Sequence, residues 1–239
     1  QPPFFKIFAS PLVGEVDAWN AAGEGLKLDK FNQVFSNKIK TWGLALGFQA
    51  VGITDLNLSE TEPRLMAWLE KQYHGEMGYM TRYGVDRARP QFLLPNALRA
   101  VMVRLDYLPD SPSLNLAYTD PKQANISRYA HHKDYHQIIR KKLDQLAKQI
   151  QAETGPFGYR AFADSAPLME KPLAIKSGLG WMGKHTNVIH PKTGSWFFLG
   201  SLLVDIPLAI DTPFEKTHCG TCTACIDICP TQAIVAPYQ

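Results

Sequence analysis

Residues 218–234, with the sequence HCGTCTACIDICPTQAI, contain all four cysteines of the 239-residue chain. Cys219, Cys222, Cys225 and Cys229 follow the spacing C-x2-C-x2-C-x3-C-P. In ferredoxins, three thiolates at this spacing occupy corners of one iron–sulfur cube, and the fourth cysteine, followed by proline, binds the other cluster. Zinc sites usually pair two C-x2-C halves across ten or more residues, so they fit this tight run less well. The run therefore predicts that residues 213–239 fold as the first half of a 4Fe-4S ferredoxin module.

The composition is that of a globular protein, with 45% hydrophobic and 20% charged residues and a net charge of +3. The apolar stretch WFFLGSLLVDIPLAI (196–210) is interrupted by Asp205 and Pro207, which predicts a buried strand and no membrane span. The first residues show no pattern of a secretory signal, so the clustered cysteines favour metal over disulfides in a reducing, cytoplasmic compartment. The mild positive charge allows a polyanionic partner without requiring one.

Helical and strand-like patterns alternate along the chain, which predicts an α/β or α+β fold. Helical periodicity is found at 31–47, 61–75 and 134–153, and strand-like runs are found at 48–55, 99–108, 159–165 and 195–205. The pattern divides the chain into an extended lead (1–30), a larger domain (31–212) and the cysteine-bearing module (213–239). Basic clusters at 81–90 and 140–148 are interpreted mainly as solvated faces, with phosphate contacts as the weaker alternative.

The stretch FADSAPLMEKPLAIKSGLGWMGKHTNVI (162–189) carries the main candidate for acid–base chemistry. Asp164 follows a short predicted strand and enters a turn. Its carboxylate suits either the N-cap of a helix beginning near Pro167 or, if burial raises its pKa, a general acid. Residue chemistry alone favours the cap. The glycine-rich part (178–187) suits close approach to a flat cofactor but lacks the G-x-G-x-x-G phosphate fingerprint.

The segment ISRYAHHKDYH (126–136) contains the beginning of a known cobalt-ligand motif. Asp134 and His136 match the first positions of D-x-H-x-x-G, by which some cobalamin enzymes supply a histidine to cobalt. Ile139 occupies the glycine position. The motif is therefore incomplete, and His136 is not predicted to be a lower axial ligand.

Together these stretches resemble the epoxyqueuosine reductases, cobalamin-dependent enzymes of queuosine tRNA modification. The resemblance covers roughly residues 38–239 and is carried by KIKTWGLALGFQAVGITD, HGEMGYM, RARPQFLLPNALRAVMV, ISRYA…DYH, DSAPLMEKPLA…GLGWMGKHTN, GSWFFLGSLLVDIPL and CGTCTACIDICPTQAIVAPY. It implies a cobalamin-binding α/β domain related to nitroreductase-like folds, followed by a two-cluster ferredoxin module. It also implies that cobalamin, reduced by the 4Fe-4S clusters, reduces the epoxide of epoxyqueuosine at the tRNA wobble position.

The resemblance also assigns residues and partners. Asp164 matches the proton donor of the family, which reverses the preference for a cap. The cofactor-binding positions that carry over are Arg87, Ser127, Asp164, Thr186, Asn187, Val188 and Leu199. The family binds cobalamin with its own base detached and without a protein histidine. We further expect a monomer that binds tRNA and takes electrons from an external reductase, flavodoxin or ferredoxin.

Two features of the family pattern are altered in this chain or lie beyond it. His131 and His132 stand where a small or basic residue and a glycine are expected. The pattern also places a second cysteine run and a helical tRNA-binding region after Gln239. We therefore expect that the four cysteines alone complete neither cluster of the two-cluster arrangement.

Two other functions are compatible with parts of the sequence. Reductive dehalogenases use cobalamin and two clusters, but they usually carry a twin-arginine export signal, and no such signal is visible. A non-catalytic electron carrier would explain the cysteine run. It would leave Asp164 and the roughly 180 preceding residues of matching sequence unexplained.

Overall fold

A four-stranded antiparallel sheet forms the centre of the protein, with its strands in the spatial order Ala50–Thr54, Arg99–Asp106, Phe197–Val204 and Tyr159–Phe162. The computed structural model describes residues 24–108, 122, 124, 126–131 and 133–239, with side chains from residue 32 onward. The strands are β1 (Ala50–Thr54), β2 (Arg99–Asp106), β3 (Tyr159–Phe162), β4 (Trp181–Met182), β5 (Val188–Ile189) and β6 (Phe197–Val204). β4 and β5 form a separate two-stranded hairpin.

Helices cover both faces of the sheet. They are α1 (Glu24–Ala45), α2 (Glu62–Glu70), α3 (Gly78–Tyr83), α4 (Tyr135–Thr154), α5 (Glu170–Lys176) and α6 (Ala224–Asp227). Short 3-10 turns span Gly84–Ala88, Pro90–Phe92 and Arg128–Ala130. The architecture is thus mixed α/β, and the antiparallel pairing selects the α+β form of the two that the sequence predicts.

Successive side chains of β2 point to opposite faces of the sheet, and a hydrophobic core forms on each face. Val101 and Val103 pack with α1 and α4, whereas Ala100 and Met102 pack with α5. All four side chains are fully buried. Because successive residues of a strand point to opposite faces, one short apolar run can support both helical layers.

The long helix α4 confirms the prediction made for residues 134–153. Asp134 caps it by accepting a hydrogen bond from the His136 N–H, at 2.9 Å. The helix packs closely on β6, since a Cβ added to Gly200 would lie 2.4 Å from Ile139 Cγ2. Glycine at this position lets the helix and the strand approach each other.

The predicted start of the first helix is wrong. α1 begins at Glu24 and not at Phe31, so residues 24–30, which the sequence assigns to the lead, are helical. Gly25 and the alternating Leu-Lys-Leu-Asp that follows obscure the helical period in this part of the sequence. Residues 1–23 of the lead lie outside the described residues.

The predicted end of the second helix is also wrong, because α2 ends at Glu70 and not at Gly75. The chain leaves the helix through turns in which Gln72 has a φ of +56°. Thr61 occupies the predicted N-cap position, but its side chain makes no cap hydrogen bond. Across the described part of the chain, no helix combines the length and apolarity needed to cross a bilayer.

Candidate functional site

Asp164 lies in a turn that follows β3 and leads into α5; we call residues 163–169 the Asp164 turn. Its φ is +60°, in the left-handed region. For residues other than glycine this region costs roughly 1–2 kcal/mol, although aspartate enters it more readily than most. The side chain is 68% exposed. The carboxyl group is therefore presented to solvent on a turn that must be held in place.

The structure excludes the N-cap role considered for Asp164. Helix α5 begins at Glu170, later than the predicted start near Pro167, and Met169 occupies its N-cap position without a side-chain cap bond. The hydrogen bond runs in the opposite direction from a cap, because the Asp164 N–H donates to Glu170 Oε2 at 3.0 Å. The carboxyl group of Asp164 is thus left for other partners.

Two neighbouring side chains at the start of α4 approach the Asp164 carboxylate. The Tyr135 hydroxyl donates to Asp164 Oδ2 at 2.6 Å, and His136 Nε2 lies 3.7 Å from the same oxygen. The Tyr135 ring stacks on Phe198 of β6 with a centroid distance of 3.9 Å. Burial and the Asp164 carboxylate raise the pKa of Tyr135, so its hydroxyl keeps its proton and acts as a donor.

His136 is oriented by the residue that caps α4. Its Nδ1 lies 2.7 Å from Asp134 Oδ1. Hydrogen bonding to the His136 side chain is the main cause of the lowered pKa of Asp134. With one ring nitrogen held by Asp134, the other faces Asp164. The imidazole therefore has two carboxylate neighbours.

Glu170 connects the Asp164 turn to the central sheet. Its Oε1 accepts a hydrogen bond from Ser201 Oγ at 2.7 Å, while its Oε2 holds the Asp164 N–H. Ser201 is fully buried on β6. Desolvation of the carboxylate raises the pKa of Glu170 to about 7, and the nearby Asp164 carboxylate acts in the same direction. The hydrogen bonds from Ser201 and Asp164 oppose this rise but do not cancel it.

The β4–β5 hairpin carries three of the predicted cofactor-binding residues. Thr186 has a φ of +66° in the loop, and Val188 is buried in β5. Asn187 Oδ1 accepts a hydrogen bond from Lys171 Nζ at 3.0 Å, which ties the loop to the first turn of α5. Desolvation of the ammonium group lowers the pKa of Lys171. The hairpin loop is thereby attached to the helix that also carries Glu170.

Leu199 and Arg87 also border this region. Leu199 is two residues from Ser201 on β6 and therefore faces the same side of the sheet. The Arg87 carbonyl accepts the Met169 N–H at 3.2 Å, which places Arg87 beside the Asp164 turn. Its guanidinium donates to the Tyr79 carbonyl at 2.9 Å, and desolvation lowers its pKa.

The segment around residues 126–131 is less closely connected to Asp164. Ser127 is exposed at the start of the turn Arg128–Ala130, and none of the contacts among the described residues joins it to Asp164. His131 closes its own loop, since its Nε2 lies 2.7 Å from the Ile126 carbonyl oxygen. His132 lies outside the described residues.

The four cysteines lie in residues 219–239, which we call the cysteine segment. All four are free thiols, one of them exposed and three partly exposed. The Lys184 ammonium group attaches the segment to the β4–β5 hairpin by donating to the carbonyls of Gly220 and Cys222, each at 2.8 Å. The Tyr238 N–H donates to the Lys184 carbonyl at 2.8 Å. Both ends of the segment are therefore bound to the same hairpin residue.

The donor chemistry of this segment fits an iron–sulfur cluster. Thiolates are the ligands of such clusters, and backbone hydrogen bonding, chiefly from Ile234, lowers the pKa of Cys229. Within the described residues, no three His, Cys, Asp or Glu side chains converge on a single metal-ion position. A cube binds its thiolates at separate iron atoms, so the spacing of the run is the relevant criterion.

The sequence alone assigns no role to Tyr135, Glu170, Lys171 or Ser201. Glu170 stands in the quoted block DSAPLMEKPLA, but an acidic residue in the first turn of a helix has an ordinary explanation in the helix dipole. Ser201 lies inside an apolar strand and is far from Glu170 along the chain. The signal that could draw attention to Tyr135 is its position directly after the helix cap, next to His136.

Known proteins resemble this chain over most of its length. The family model described as epoxyqueuosine reductase QueG, DUF1730, matches residues 87–165. The epoxyqueuosine reductase of Pseudomonas aeruginosa is 53% identical over 204 residues, which cover 85% of this chain and 56% of the relative. That of Escherichia coli K12 is 54% identical over 203 residues, covering 85% of this chain and 53% of the relative.

Solved structures agree with these sequence matches. The crystal structure of an epoxyqueuosine reductase with a tRNA-Tyr epoxyqueuosine-modified stem loop gives a TM-score of 0.70 at 25% identity, covering 86% of this chain and 54% of that chain. The structure of the epoxyqueuosine reductase from Streptococcus thermophilus gives a TM-score of 0.71 at 25% identity, covering 84% of this chain and 54% of that chain. The chain thus spans a little over half the length of the proteins it matches.

Proposed function

Because the chain belongs to the epoxyqueuosine reductase family, we propose that it carries the catalytic part of an enzyme that reduces epoxyqueuosine to queuosine in tRNA. The observation that carries the proposal is the Asp164 site. An exposed carboxyl group is held on a turn anchored to the sheet, with a tyrosine hydroxyl at 2.6 Å and a ring nitrogen of His136 at 3.7 Å from the same oxygen. The carboxyl group is within reach of a substrate that approaches from solvent, and cover by that substrate and the cofactor would supply the burial that the acid role requires.

The overall reaction requires two electrons and two protons. The epoxide carbon–oxygen bonds break, a carbon–carbon double bond remains, and the oxygen leaves as water. An oxygen that departs as an alkoxide needs a proton at short range. In our proposal Asp164 supplies that proton, and the Tyr135 hydroxyl orients the carboxyl group by its hydrogen bond.

We propose cobalamin and two 4Fe-4S clusters as the cofactors, with tRNA and an external electron donor as partners. Bound cobalamin would supply the electrons that open the epoxide, after reduction through the clusters. The residues that would contact it are Arg87, Ser127, Asp164, Thr186, Asn187, Val188 and Leu199. This set combines charged, amide, hydroxyl and aliphatic side chains. Val188 and Leu199 pack in the same hydrophobic cluster as Leu168 of the Asp164 turn, and Asn187 is bound to Lys171 of α5.

Residues 213–239, which include the cysteine segment, would form the first half of the ferredoxin module. Cys219, Cys222 and Cys225 would ligate one cluster, and Cys229 would ligate the other. The lowered pKa of Cys229 favours the thiolate form that a cluster requires. Lys184, which binds the segment to the β4–β5 hairpin, would keep this end of the electron path beside the hairpin loop.

Replacement of the acid in the full-length protein tests this proposal. We expect Asp164→Asn to lower the single-turnover conversion of epoxyqueuosine-containing tRNA by about 100-fold or more, the usual contribution of a general acid. The visible spectrum of bound cobalamin should be unchanged. Conversion is measured by mass spectrometry of the digested tRNA.

Asp144→Asn provides the matched control, because the same chemical change is made on the exposed face of α4. It should convert tRNA at the wild-type rate. Wild-type conversion by Asp164→Asn would show that Asp164 is not the acid. A purified full-length protein that binds no cobalamin after reconstitution would contradict the cofactor assignment.

A further inference from the structure

Glu170 is an acidic residue to which the proposed reaction gives no role, yet it makes two specific contacts. One carboxylate oxygen accepts the Asp164 N–H at 3.0 Å, and the other accepts the Ser201 hydroxyl at 2.7 Å. The two partners lie on different elements, one on the Asp164 turn and one on the strand β6. Glu170 therefore links the turn to the central sheet.

The Asp164 turn needs such a link because its backbone is unfavourable. Asp164 has a φ of +60°, and the Ser165 N–H closes a tight turn on the Ala163 carbonyl at 2.6 Å. Released from its partners, a residue in the left-handed region relaxes towards the commoner conformations. Such a relaxation would redirect the carboxyl group away from Tyr135.

The support behind Glu170 is firm. Ser201 is fully buried and lies opposite Met102 in the ladder between β2 and β6. At the far end of the turn, the Met169 N–H is held by the Arg87 carbonyl. Ser201, Glu170 and the Asp164 N–H thus form a continuous connection from the sheet to the acid.

We propose that Glu170 is the positioning residue of the acid: its ionised carboxylate holds the Asp164 turn in the reactive orientation, and protonation of that carboxylate loosens the turn. This inference rests on the proposed function for its catalytic consequence, but the hold on the turn does not depend on the reaction. Glu170 does not touch the reacting atoms in this arrangement, since its two oxygens are occupied by Asp164 and Ser201.

Electrostatics around Glu170 make the hold sensitive to pH near neutrality. Desolvation and the facing Asp164 carboxylate raise its pKa to about 7, while Ser201, the Asp164 N–H and the facing His136 act in the opposite direction. Lys171 follows it in α5 but donates to Asn187. An ionised carboxylate makes stronger, charge-assisted hydrogen bonds than a neutral acid, so the turn is held more firmly above this pH.

Glu170→Gln and Glu170→Ala separate the hydrogen bonds from the charge. The Gln amide oxygen can accept the Asp164 N–H while its NH2 donates to Ser201, so this variant keeps a neutral link at every pH. The Ala variant removes the link. Glu153→Gln is the control, because it makes the same chemical change at the far end of α4, where Glu153 pairs with Lys38.

The first measurement is hydrogen exchange of residues 163–169 in the full-length holoenzyme, corrected for the intrinsic effect of pH. We expect Glu170→Ala to speed exchange of this peptide about tenfold or more. The wild type should gain protection between pH 6 and 8.5, whereas Glu170→Gln should not. Unchanged exchange in Glu170→Ala would overturn the proposal. If Glu170→Ala does not fold, Ser201→Ala and Glu170→Gln provide the same comparison.

The second measurement is the ratio of wild-type to Glu170→Gln single-turnover rates, in which the titrations of shared groups cancel. We expect the ratio to lie near one at about pH 6 and to rise several-fold by about pH 8.5, on either side of the raised pKa of Glu170. A purely structural role for Glu170 would give a ratio independent of pH, and that result would overturn the positioning role. Full activity of Asp164→Asn together with the expected exchange data would reject the proposed acid and leave the hold on the turn intact.

Discussion

The Asp164 site and the cysteine segment are attached to the same β4–β5 hairpin, but they are supported in opposite ways. The partners of Asp164 come from α4, α5 and β6, and each of these elements contributes buried residues to the two cores. In the cysteine segment, by contrast, no residue from 219 to 239 is buried. The side chain of Ile228 is even 80% exposed.

This difference shows which part of the proposed chemistry the fold itself prepares. Asp164 is placed by contacts with elements that pack on the sheet, so its position is determined by the fold. The cysteine segment has no core of its own and is held through Lys184, Tyr238 and the packing of the preceding His218 ring against Trp181, at a centroid distance of 4.8 Å. Segments without a core generally gain their order from a metal site, which here would be the proposed cluster.

Two truncations to alanine test this contrast in stability. Leu202, on β6, is fully buried, and its replacement by Ala should destabilise the sheet by about 2–5 kcal/mol through lost packing and a residual cavity. Ile228→Ala should change stability by less than about 0.5 kcal/mol, as is usual for exposed positions. The measurement is the free energy of opening of the slowest-exchanging amides of β2 and β6 in the full-length protein.

The same pair of variants can also contradict the difference in support between the Asp164 site and the cysteine segment. If Ile228→Ala costs as much as Leu202→Ala, the cysteine segment has a packed surface in the full-length protein that these residues alone do not display. If both variants instead lower the opening free energy by similarly small amounts, β6 does not form the firm support assigned to it.

The charge of Glu170 gives the second prediction, which concerns global stability against pH. Desolvation raises its pKa from 4.5 to about 7 in the folded protein, so the folded state binds its proton more tightly than the unfolded state does. The contribution of this group is therefore fully present below the unfolded pKa and is lost as the pH rises through about 7. Because the side chain is only partly enclosed, the loss should amount to about 1–3 kcal/mol after allowance for solvent screening.

Denaturant unfolding of wild type and Glu170→Gln between about pH 4 and 8 measures this effect. The free energy of unfolding of Glu170→Gln, relative to that of the wild type, should increase as the pH rises and become constant above about pH 7.5. The local and global effects thus have opposite signs, because ionisation strengthens the hold on the Asp164 turn but places a charge in a poorly hydrated position. A stability difference that does not vary with pH would show that Glu170 is not desolvated in the folded protein.

The parts of the fold that sequence predicts are those in which a periodic pattern coincides with burial. Helix α4 and strands β2 and β6 are located correctly because their apolar residues recur at the period of the element. The four cysteines are recognisable from spacing alone, since their pattern lies within eleven consecutive residues. Asp164 is recognisable from a local block, and its role as an acid stays a prediction.

The parts that sequence does not predict depend on contacts between distant residues. The hydrogen bond from Ser201 to Glu170 joins a strand to the start of a helix. Nothing in the sequence around either residue indicates that the two are in contact. The left-handed backbone of Asp164 occurs together with the hydrogen bond from its N–H to Glu170, which no local sequence pattern indicates. The start of α1 escapes prediction for a different reason, because residues 24–30 carry no clear apolar stripe.

The smallest effect is expected at Lys184, which joins the two regions of the comparison. Lys184→Met removes the hydrogen bonds to the carbonyls of Gly220 and Cys222 and keeps most of the aliphatic side chain. Because both bonds lie at the surface, we expect a loss of about 1 kcal/mol in the opening free energy of the cysteine segment. This corresponds to about fivefold faster hydrogen exchange of residues 219–229 in full-length protein prepared without iron.

Iron loading determines what that result means. A bound cluster would fix the cysteines covalently, so the effect of Lys184→Met on exchange should shrink once the cluster is present. Lys192→Met, in the turn that follows β5, provides the control and should leave exchange of the segment unchanged in both preparations. An effect of Lys184→Met that is as large with iron as without it would mean that the segment owes its order to the hairpin and not to a cluster. The contrast between the two regions would then be one of degree, because both would be positioned by the fold before any cofactor binds.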